Sequence, residues 1–272
     1  MARWTVDGPT TLDFDGVVML KATIVSGSIS ILPTDGRPSL HVSEVSGQPL
    51  EVVQEAGMLS ISHELGGIEG ALKWLQDRRG RAAVTVCVPR ECPVKLKLGK
   101  ANAVVTGLSS RISVNTVSGD ATFEGVSGVI DANTASGTVQ AQGLDGSMSF
   151  NTIGGDLDLA GGTLDSLTAN TVSGKVTADL ALADTGKVKV STVTGAVTLR
   201  LPDSTSAQVM LTSATGRIDT AFTELSRAER YTSKSVTGTL GDGKALLNVN
   251  TVSGAIALLS HPYVRIEGAH DQ

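Results

Sequence analysis

The chain has 272 residues, of which 40% are hydrophobic and 18% charged, and its formal net charge is −5. This composition is typical of a folded protein and excludes a disordered one. The four Phe, two Tyr and two Trp are too few to fill a thick globular core, whereas the aliphatic residues suit a narrow one. The charges form no long basic run, so the sequence predicts no nucleic-acid partner.

Residues 1–110 are predicted to hold N-terminal β-strands and early, irregular coils. Asp-Gly pairs at 7, 15 and 35 are typical of tight turns, and the triplet VSG recurs at 25–27 and 45–47. Strands bounded by these turns are expected from about Trp4 to Ser62. The more regular repeat further along the chain therefore follows a less regular β-structure.

The segment GGIEGALKWLQDRRGR interrupts these strands. Ile68, Leu72 and Leu75 recur at helical spacing, so a short capping helix is predicted near 68–79. The end coils of a strand repeat expose unpaired edges and apolar interior, and a helix is one way to cover them. Trp74 is the distinctive apolar side chain of this helix and an alternative contact for a partner.

Residues 111–260 carry a five-residue phrase that is written eight times. It reads NTVSG at 115, NTASG at 133, NTIGG at 151, NTVSG at 170, STVTG at 191, TSATG at 212, KSVTG at 234 and NTVSG at 250. The closing glycines are 18, 18, 19, 21, 21, 22 and 16 residues apart. A short period in Val, Ile and Thr, bounded by Gly and Asn, predicts an all-β, parallel β-helix-like solenoid with coils of about 18–22 residues. A polar tail follows at 261–272.

Alternation along each strand predicts which side chains face the interior. Inward positions are expected two residues before each phrase glycine, at Val117, Ala135, Ile153, Val172, Val193, Ala214, Val236 and Val252. Others are expected two residues after each glycine and, on the preceding strand, at pairs such as Ile112 and Val114. The inward positions before the Asn of the phrase lie an odd number of residues from the glycine, whereas those after it lie an even number away. This change of phase predicts a corner at the Asn. A structural ladder of amides that bond one another and also satisfy the turn backbone is predicted there, formed by Asn115, Asn133, Asn151, Asn170 and Asn250.

Hydroxyl residues flank each position expected to face inward, and they are predicted to point outward as a candidate interaction face. Its members are Thr116, Ser118, Thr134, Ser136, Thr171, Ser173, Thr192, Thr194, Ser213, Thr215, Ser235, Thr237, Thr251 and Ser253. Two columns about 6.6 Å apart, with rungs about 4.8 Å apart, resemble the ice-binding face of solenoid antifreeze proteins. The alternative explanation is local, because Thr favours strands and Ser favours turn entry.

No catalytic, cofactor-binding or metal-binding residue is predicted. The four histidines, at 41, 63, 261 and 270, share no metal-ligand spacing and are expected to be solvated or incidental. Cys87 and Cys92 are expected to be reduced thiols. No apolar stretch has the length of a signal peptide or a spanning helix, so a cytoplasmic location without a transmembrane segment is predicted.

Three stretches carry a resemblance to a known family. They are the TVSG series, the early TIVSGSISI, and VTVCVP followed by VKLKLGKANAVVTGLSSRISVNTVSGDATF. They resemble the bacterial β-strand-repeat family of putative adhesins, a domain of unknown function, over roughly residues 10–260. The resemblance implies a β-solenoid and brings no catalytic residue with it.

The leading hypothesis for function is a non-enzymatic structural or interaction scaffold. Its partner is another protein or a second copy of the chain, placed end to end or side by side. An adhesin-like protein that binds ice or polysaccharide through the hydroxyl face is the first alternative. A polysaccharide-processing β-helix enzyme is the second, and it requires a charged cluster on one sheet that no spacing in the sequence enforces.

Overall fold

The computed structural model describes residues 1–63, 80–230 and 233–262. These residues form 22 strands and contain no helix. The strands are β1 (Ala2–Val6), β2 (Thr10–Asp13), β3 (Met19–Pro33), β4 (Ser39–Ser46), β5 (Leu50–Glu55), β6 (Met58–His63), β7 (Arg81–Val88), β8 (Val94–Thr106), β9 (Ser109–Ser118), β10 (Ala121–Glu124), β11 (Ser127–Thr134), β12 (Val139–Gln142), β13 (Asp145–Thr152), β14 (Leu157–Thr171), β15 (Val176–Thr192), β16 (Val197–Pro202), β17 (Ala207–Ser213), β18 (Ile218–Thr220), β19 (Ser226–Arg230), β20 (Ser233–Leu240), β21 (Ala245–Thr251) and β22 (Ile256–His261). The helix predicted at 68–79, with Trp74, lies outside the described residues, as does most of the predicted tail.

One coil shows how the solenoid is built. Strand β9 runs to a turn at Gly119, and the short strand β10 then returns on the opposite side. Gly125 turns the chain back into β11 with a φ of 56°, a conformation that favours glycine. β11 lies parallel to β9, and β12 lies parallel to β10, each pair joining residues one 18-residue period apart. Two parallel sheets result, here called the long face and the short face.

The order of strands in each face follows from their hydrogen-bonded pairs. The long face runs β1, β5, β6, β3, β8, β9, β11, β13, β14, β15, β21, β17, β20 and β19. The short face runs β2, β4, β7, β3, β8, β10, β12, β14, β15, β16, β22 and β18. The long strands β3, β8, β14 and β15 belong to both faces because each bends around a corner.

A single slim core lies between the two faces. The pairs expected to face inward on the long strands are buried, as are the residues two positions after the phrase glycines. Ile112, Val114, Ala121 and Phe123 show the pattern within one coil, since every second side chain enters the core and the next faces solvent.

Stacking order departs from chain order near both ends. The last coil, β21 with β22, lies between the coil of β15 and β16 and the coil of β17 and β18. At the other end β3 lies between β8 on one side and β6 and β7 on the other. The regular repeat in the sequence does not indicate that these strands stack out of chain order.

Antiparallel strands close both faces at the first end of the stack and the long face at the other end. β5 and β4 pair antiparallel with β6 and β7 at one end, and β20 pairs antiparallel with β17 at the other. Phe14 is buried at the first end, where Trp4 meets it edge to face with ring centroids 5.6 Å apart. The phrase KSVTG at 234 lies in β20, so it belongs to an antiparallel end strand and does not form a coil turn.

Candidate functional site

The turn that carries the repeated phrase has the opposite orientation to the predicted one. The hydroxyl residue before the apolar position is buried in seven coils, at Thr116, Thr134, Thr152, Thr171, Thr192, Ser213 and Thr251. The outward orientation predicted for six of them, all but Thr152, is wrong, and the two-column hydroxyl face is not formed. The inward phase of the long strand therefore continues through the Asn, and the corner comes after it.

Hydrogen bonding to a glycine N–H explains why the hydroxyl side chain is buried in five of these seven coils. The backbone N–H of Gly174 donates to Thr171 Oγ1 at 2.8 Å, and that of Gly195 donates to Thr192 Oγ1 at 2.9 Å. The N–H groups of Gly155, Gly216 and Gly254 make the same bond to the hydroxyl three residues earlier, at 2.7–2.8 Å. The tight turn supplies a donor that a valine in this position would leave unpaired, and a buried unpaired N–H is costly.

The phrase glycines stack on one another without space for a side chain. A Cβ at Gly174 would lie 1.8 Å from the carbonyl oxygen of Gly155, and one at Gly195 would lie 1.9 Å from that of Gly174. At Gly137 the distance to Gly119 O would be 2.3 Å, and φ there is 110°. Close approach of successive backbones at this corner therefore requires glycine.

The apolar residue of the phrase faces solvent instead of the core. Val117, Ile153, Val172, Val193 and Val252 are between 42% and 64% exposed. The alanines of the column, Ala135 and Ala214, are exposed as well, so the predicted inward orientation is wrong for all seven. Val236 alone is buried, because its phrase lies in the antiparallel strand β20.

These exposed residues form one continuous column along the stack, called here the corner column. The backbone N–H of the next residue in each coil donates to the carbonyl of the column residue below, as in Ser173 N–H to Ile153 O at 3.0 Å. Val25 and Gly99 extend the column at its first end. In stacking order its members are Val25, Gly99, Val117, Ala135, Ile153, Val172, Val193, Val252 and Ala214.

The second hydroxyl of each phrase stays at the surface but bonds along the stack. Ser173 Oγ donates to Ile153 O at 3.2 Å, and Thr194 Oγ1 donates to Val172 O at 3.2 Å. Ser136, Thr215 and Ser253 make similar bonds, whereas Ser118 is half-buried, and Ser235 and Thr237 lie in β20. These contacts give the hydroxyls a local structural cause.

Four of the five predicted ladder residues are joined by their amides. Asn133 Nδ2 donates to Asn115 Oδ1 at 3.3 Å, and the contacts from Asn151 to Asn133 and from Asn170 to Asn151 are 3.1 Å and 2.9 Å. Asn250 is separated from them by the coil of Ser191 and bonds Asn248 Oδ1 at 2.8 Å. The amides are half-buried on the outer side of the long face, so the expected bonds to turn backbone are not made.

A groove of about 450 Å³ follows the first half of the corner column. Its floor lies at Gly99 and Ala135, which are small beside Val25, Val117 and Ile153. Asn115, Asn133 and the stem of Lys97 form one wall. The groove is therefore mainly apolar, with amide and ammonium groups at the rim.

A basic cluster adjoins this groove, although the overall charge is negative. Lys21 pairs across strands with Lys95, Lys97 stands two residues further along β8, and Lys100 lies at the corner. None of these lysines has an ion pair within the part of the chain that the structure describes. The run KLKLGK carries this signal in its alternation, which places Lys95 and Lys97 on one face.

The histidines and cysteines do not form a common site. His63 is 1% exposed, contrary to the solvated state expected of it, and its Nδ1 accepts the N–H of Val25 at 3.2 Å. Burial lowers the pKa of His63. Cys92 is buried, which raises the pKa of its thiol to about 11, and Cys87 is half-buried. Within residues 1–63, 80–230 and 233–262, no three His, Cys, Asp or Glu side chains are grouped as metal ligands would be.

No helix among the described residues has the length and apolar character needed to cross a membrane.

Comparison with solved structures finds bacterial proteins that are distantly similar to this chain. A putative cell adhesion protein from Clostridium sporogenes is 12% identical, with 93% of this chain and 100% of that chain covered and a TM-score of 0.28. Putative adhesins from Bacteroides fragilis and Parabacteroides distasonis are 10% and 9% identical, cover 92% and 93% of this chain and 97% and 99% of their own, and have TM-scores of 0.41 and 0.33.

Comparison with curated proteins finds no match. The model of the family described as Toastrack DUF4097 matches residues 75–259, which is more than half of the chain. The protein belongs to the Toastrack DUF4097 family.

Proposed function

We propose that the protein is a non-enzymatic scaffold that associates side by side with a second copy of itself through the corner column. The observation that carries the proposal is the alignment of five large aliphatic side chains, each at least 42% exposed, in one column that is interrupted between them by Ala135 alone. Single exposed apolar residues are common on protein surfaces, whereas a contiguous apolar patch marks an interaction site.

The dimensions of the column agree with a small but specific contact. Nine rungs at about 4.8 Å span about 38 Å along the stack. A strip about 15 Å wide along this length offers about 600 Å² per copy, which is near the lower end for specific protein interfaces. Association of this size is expected to depend on protein concentration.

The ends of the stack favour side-by-side over end-to-end contact. At the C-terminal end antiparallel strands cover the long face, where the outer strand β19 carries Arg227 and Glu229, and the short face ends in the three-residue strand β18. Charged side chains on an edge strand discourage pairing with another sheet edge. Continued strand stacking between copies is therefore less favourable than contact along the column.

Sedimentation velocity over a range of concentrations tests the proposal. Wild type is expected to shift from monomer to dimer as concentration rises, and Ile153→Lys with Val172→Lys is expected to stay monomeric. Both side chains face solvent, so the double variant keeps its fold. Gln140→Lys with Gln142→Lys, on the outer side of β12, is the matched control and is expected to behave as wild type. A wild-type protein that stays monomeric contradicts the proposal. A double variant with Ile153→Lys and Val172→Lys that still dimerises contradicts it as well.

A further inference from the structure

The corner column has two halves of different shape. From Val25 to Ile153 it forms the groove, in which Gly99 and Ala135 are gaps between larger neighbours. From Ile153 onward, Val172, Val193 and Val252 follow without a gap and are 47%, 42% and 51% exposed. This second stretch is called here the valine ridge. One copy therefore presents both a groove and a row of side chains that would fill it.

We infer that the second copy binds antiparallel, so that the valine ridge of each copy fills the groove of the other. This inference rests on the proposed side-by-side association and specifies its geometry. A two-fold axis passes through Ile153, which meets the same residue of the second copy. Two rungs equally far from Ile153 on opposite sides then face each other, as in any isologous contact.

Size complementarity follows from this register. Ala135 lies one rung before Ile153 and Val172 one rung after, so the alanine gap receives a valine. Gly99 lies three rungs before Ile153 and receives Val252, which lies three rungs after. Parallel pairing would instead place Ala135 on Ala135 and Gly99 on Gly99, leaving voids that lose packing contacts.

Charge favours the same arrangement. Lys97 and Lys100 flank the groove at the rung of Gly99, and parallel pairing would place these lysines directly opposite their own copies. Antiparallel pairing about Ile153 separates equivalent lysines by six rungs, or about 29 Å. That separation exceeds the screening length of about 10 Å in moderate salt, so their repulsion is small.

Disulfide trapping tests the geometry in the full chain with Cys87→Ser and Cys92→Ala as background. Ile153→Cys stands on the inferred axis and is expected to give about tenfold more cross-linked dimer under mild oxidation than Val117→Cys. Two Val117→Cys side chains would be four rungs, or about 19 Å, apart in the antiparallel dimer, which is beyond disulfide reach. Gln140→Cys, on the short face, gives the background of random collision.

The outcomes separate this inference from the proposed function. Strong trapping at Ile153→Cys with background trapping at Val117→Cys supports the antiparallel register. Strong trapping at Val117→Cys overturns it in favour of parallel pairing. A dimer in sedimentation that no cysteine traps overturns the register and leaves the association standing, whereas a protein that is monomeric throughout overturns both.

A size swap gives a second measurement that needs no cysteine. Ala135→Val fills the gap and is expected to weaken dimerisation about tenfold, because the facing Val172 then has no space. Val172→Ala in the same chain is expected to restore dimerisation to near the wild-type level. Failure of the second change to rescue the first would overturn the contact between these two residues, since both are exposed in the monomer.

Discussion

The middle of the stack and its two ends contain the same kind of coil. They differ in which coil of the chain lies beside each one. From β9 to β15 each strand lies beside the strand of the preceding coil, with residues 18 to 21 positions apart in register. Near the C-terminal end, Ser253 instead bonds the carbonyl of Val193, 60 residues away. The position of a side chain within its coil is thus a local property, whereas the neighbour of a coil is not.

The inserted coil has a clear structural role. On the long face β21 lies between β15 and β17, and on the short face β22 lies between β16 and β18, so neither pair is in direct contact. The last coil thus supplies a parallel strand partner to each of these four strands, which satisfies backbone groups that would otherwise be unpaired. The C-terminal strands therefore hold the preceding end structure in place, and the comparison predicts that loss of an end coil is worse than loss of a middle one.

The largest effect is expected from truncation after Gly243. Removing β21 and β22 leaves β17 paired only with β20 and exposes the core between the two faces, at a cost of about 5 kcal/mol or more. Hydrogen exchange is expected to show loss of amide protection across β16 to β20. Deletion of 138–155 is the control, because it removes one middle coil of 18 residues and leaves its neighbours in register. Equal amide protection in the two variants would contradict the expectation that loss of an end coil is worse than loss of a middle one.

The next largest effect is expected at the stacked glycines of the middle. Gly195→Ala places a Cβ on the carbonyl oxygen of Gly174 and is expected to cost about 3 kcal/mol, because the two backbones must separate. Gly8→Ala, at the N-terminal end, meets nothing within 4 Å and is the matched control. Chemical denaturation measures both variants. If Gly195→Ala leaves the free energy of unfolding unchanged, the stacked backbones at the corner can accommodate a Cβ without cost, and the prediction is wrong.

Much of this middle region follows from the sequence. The short period predicts a β-solenoid, alternation predicts the buried pairs on the long strands, and the recurring Asn predicts amide contacts that four residues make. The phase across the turn does not follow, because Thr and Val suit strands equally well. The deciding factor is the N–H of the phrase glycine, which donates to the hydroxyl three residues earlier and so favours the inward orientation of that hydroxyl.

The stacking order and the corner column cannot be predicted from the sequence, for a related reason. Identical phrases can stack in any order, so nothing in NTVSG at 250 distinguishes the coil of Ser191 from the coil of Asn170 as its neighbour. Once the hydroxyl turns inward, the next residue must face solvent, and a row of valines becomes a surface. The orientation of one side chain per coil thus decides whether the repeat yields a hydroxyl face or an apolar one.

A smaller effect is expected from the hydroxyl that sets this orientation. Thr192→Val keeps the shape of the side chain but leaves the N–H of Gly195 unpaired, at a cost of about 1–3 kcal/mol. Thr194→Val removes a hydroxyl that bonds a carbonyl at the exposed surface, where water replaces it, so the expected cost is below about 0.5 kcal/mol. Thermal unfolding of the two variants compares them directly. Equal costs would contradict the role assigned to the buried hydroxyl.

The smallest effect concerns the end coil in which a histidine takes the inward corner position. His63 follows Ser62, which pairs with Thr23, so it lies in the column that Thr116 occupies in the middle. Its Nδ1 accepts a backbone N–H as the threonine hydroxyls do, but it is titratable, and burial lowers its pKa below the ordinary value of 6.5. At higher pH both the folded and the unfolded chain hold a neutral imidazole, and the folded state carries no penalty.

As pH falls below 6.5, the unfolded chain takes up the proton first, so the free energy of unfolding decreases until the folded-state pKa is passed. Denaturant midpoints at pH 7.5 and pH 5 are expected to fall more steeply for wild type than for His63→Gln, which has no titrating group at this position. His41→Gln, which makes the same substitution at an exposed histidine of the same end, is the matched control. If His63→Gln and wild type lose stability in parallel, the acid sensitivity of the end coil comes from its carboxylates. The buried imidazole then contributes no more to the pH dependence of stability than the threonines of the middle do.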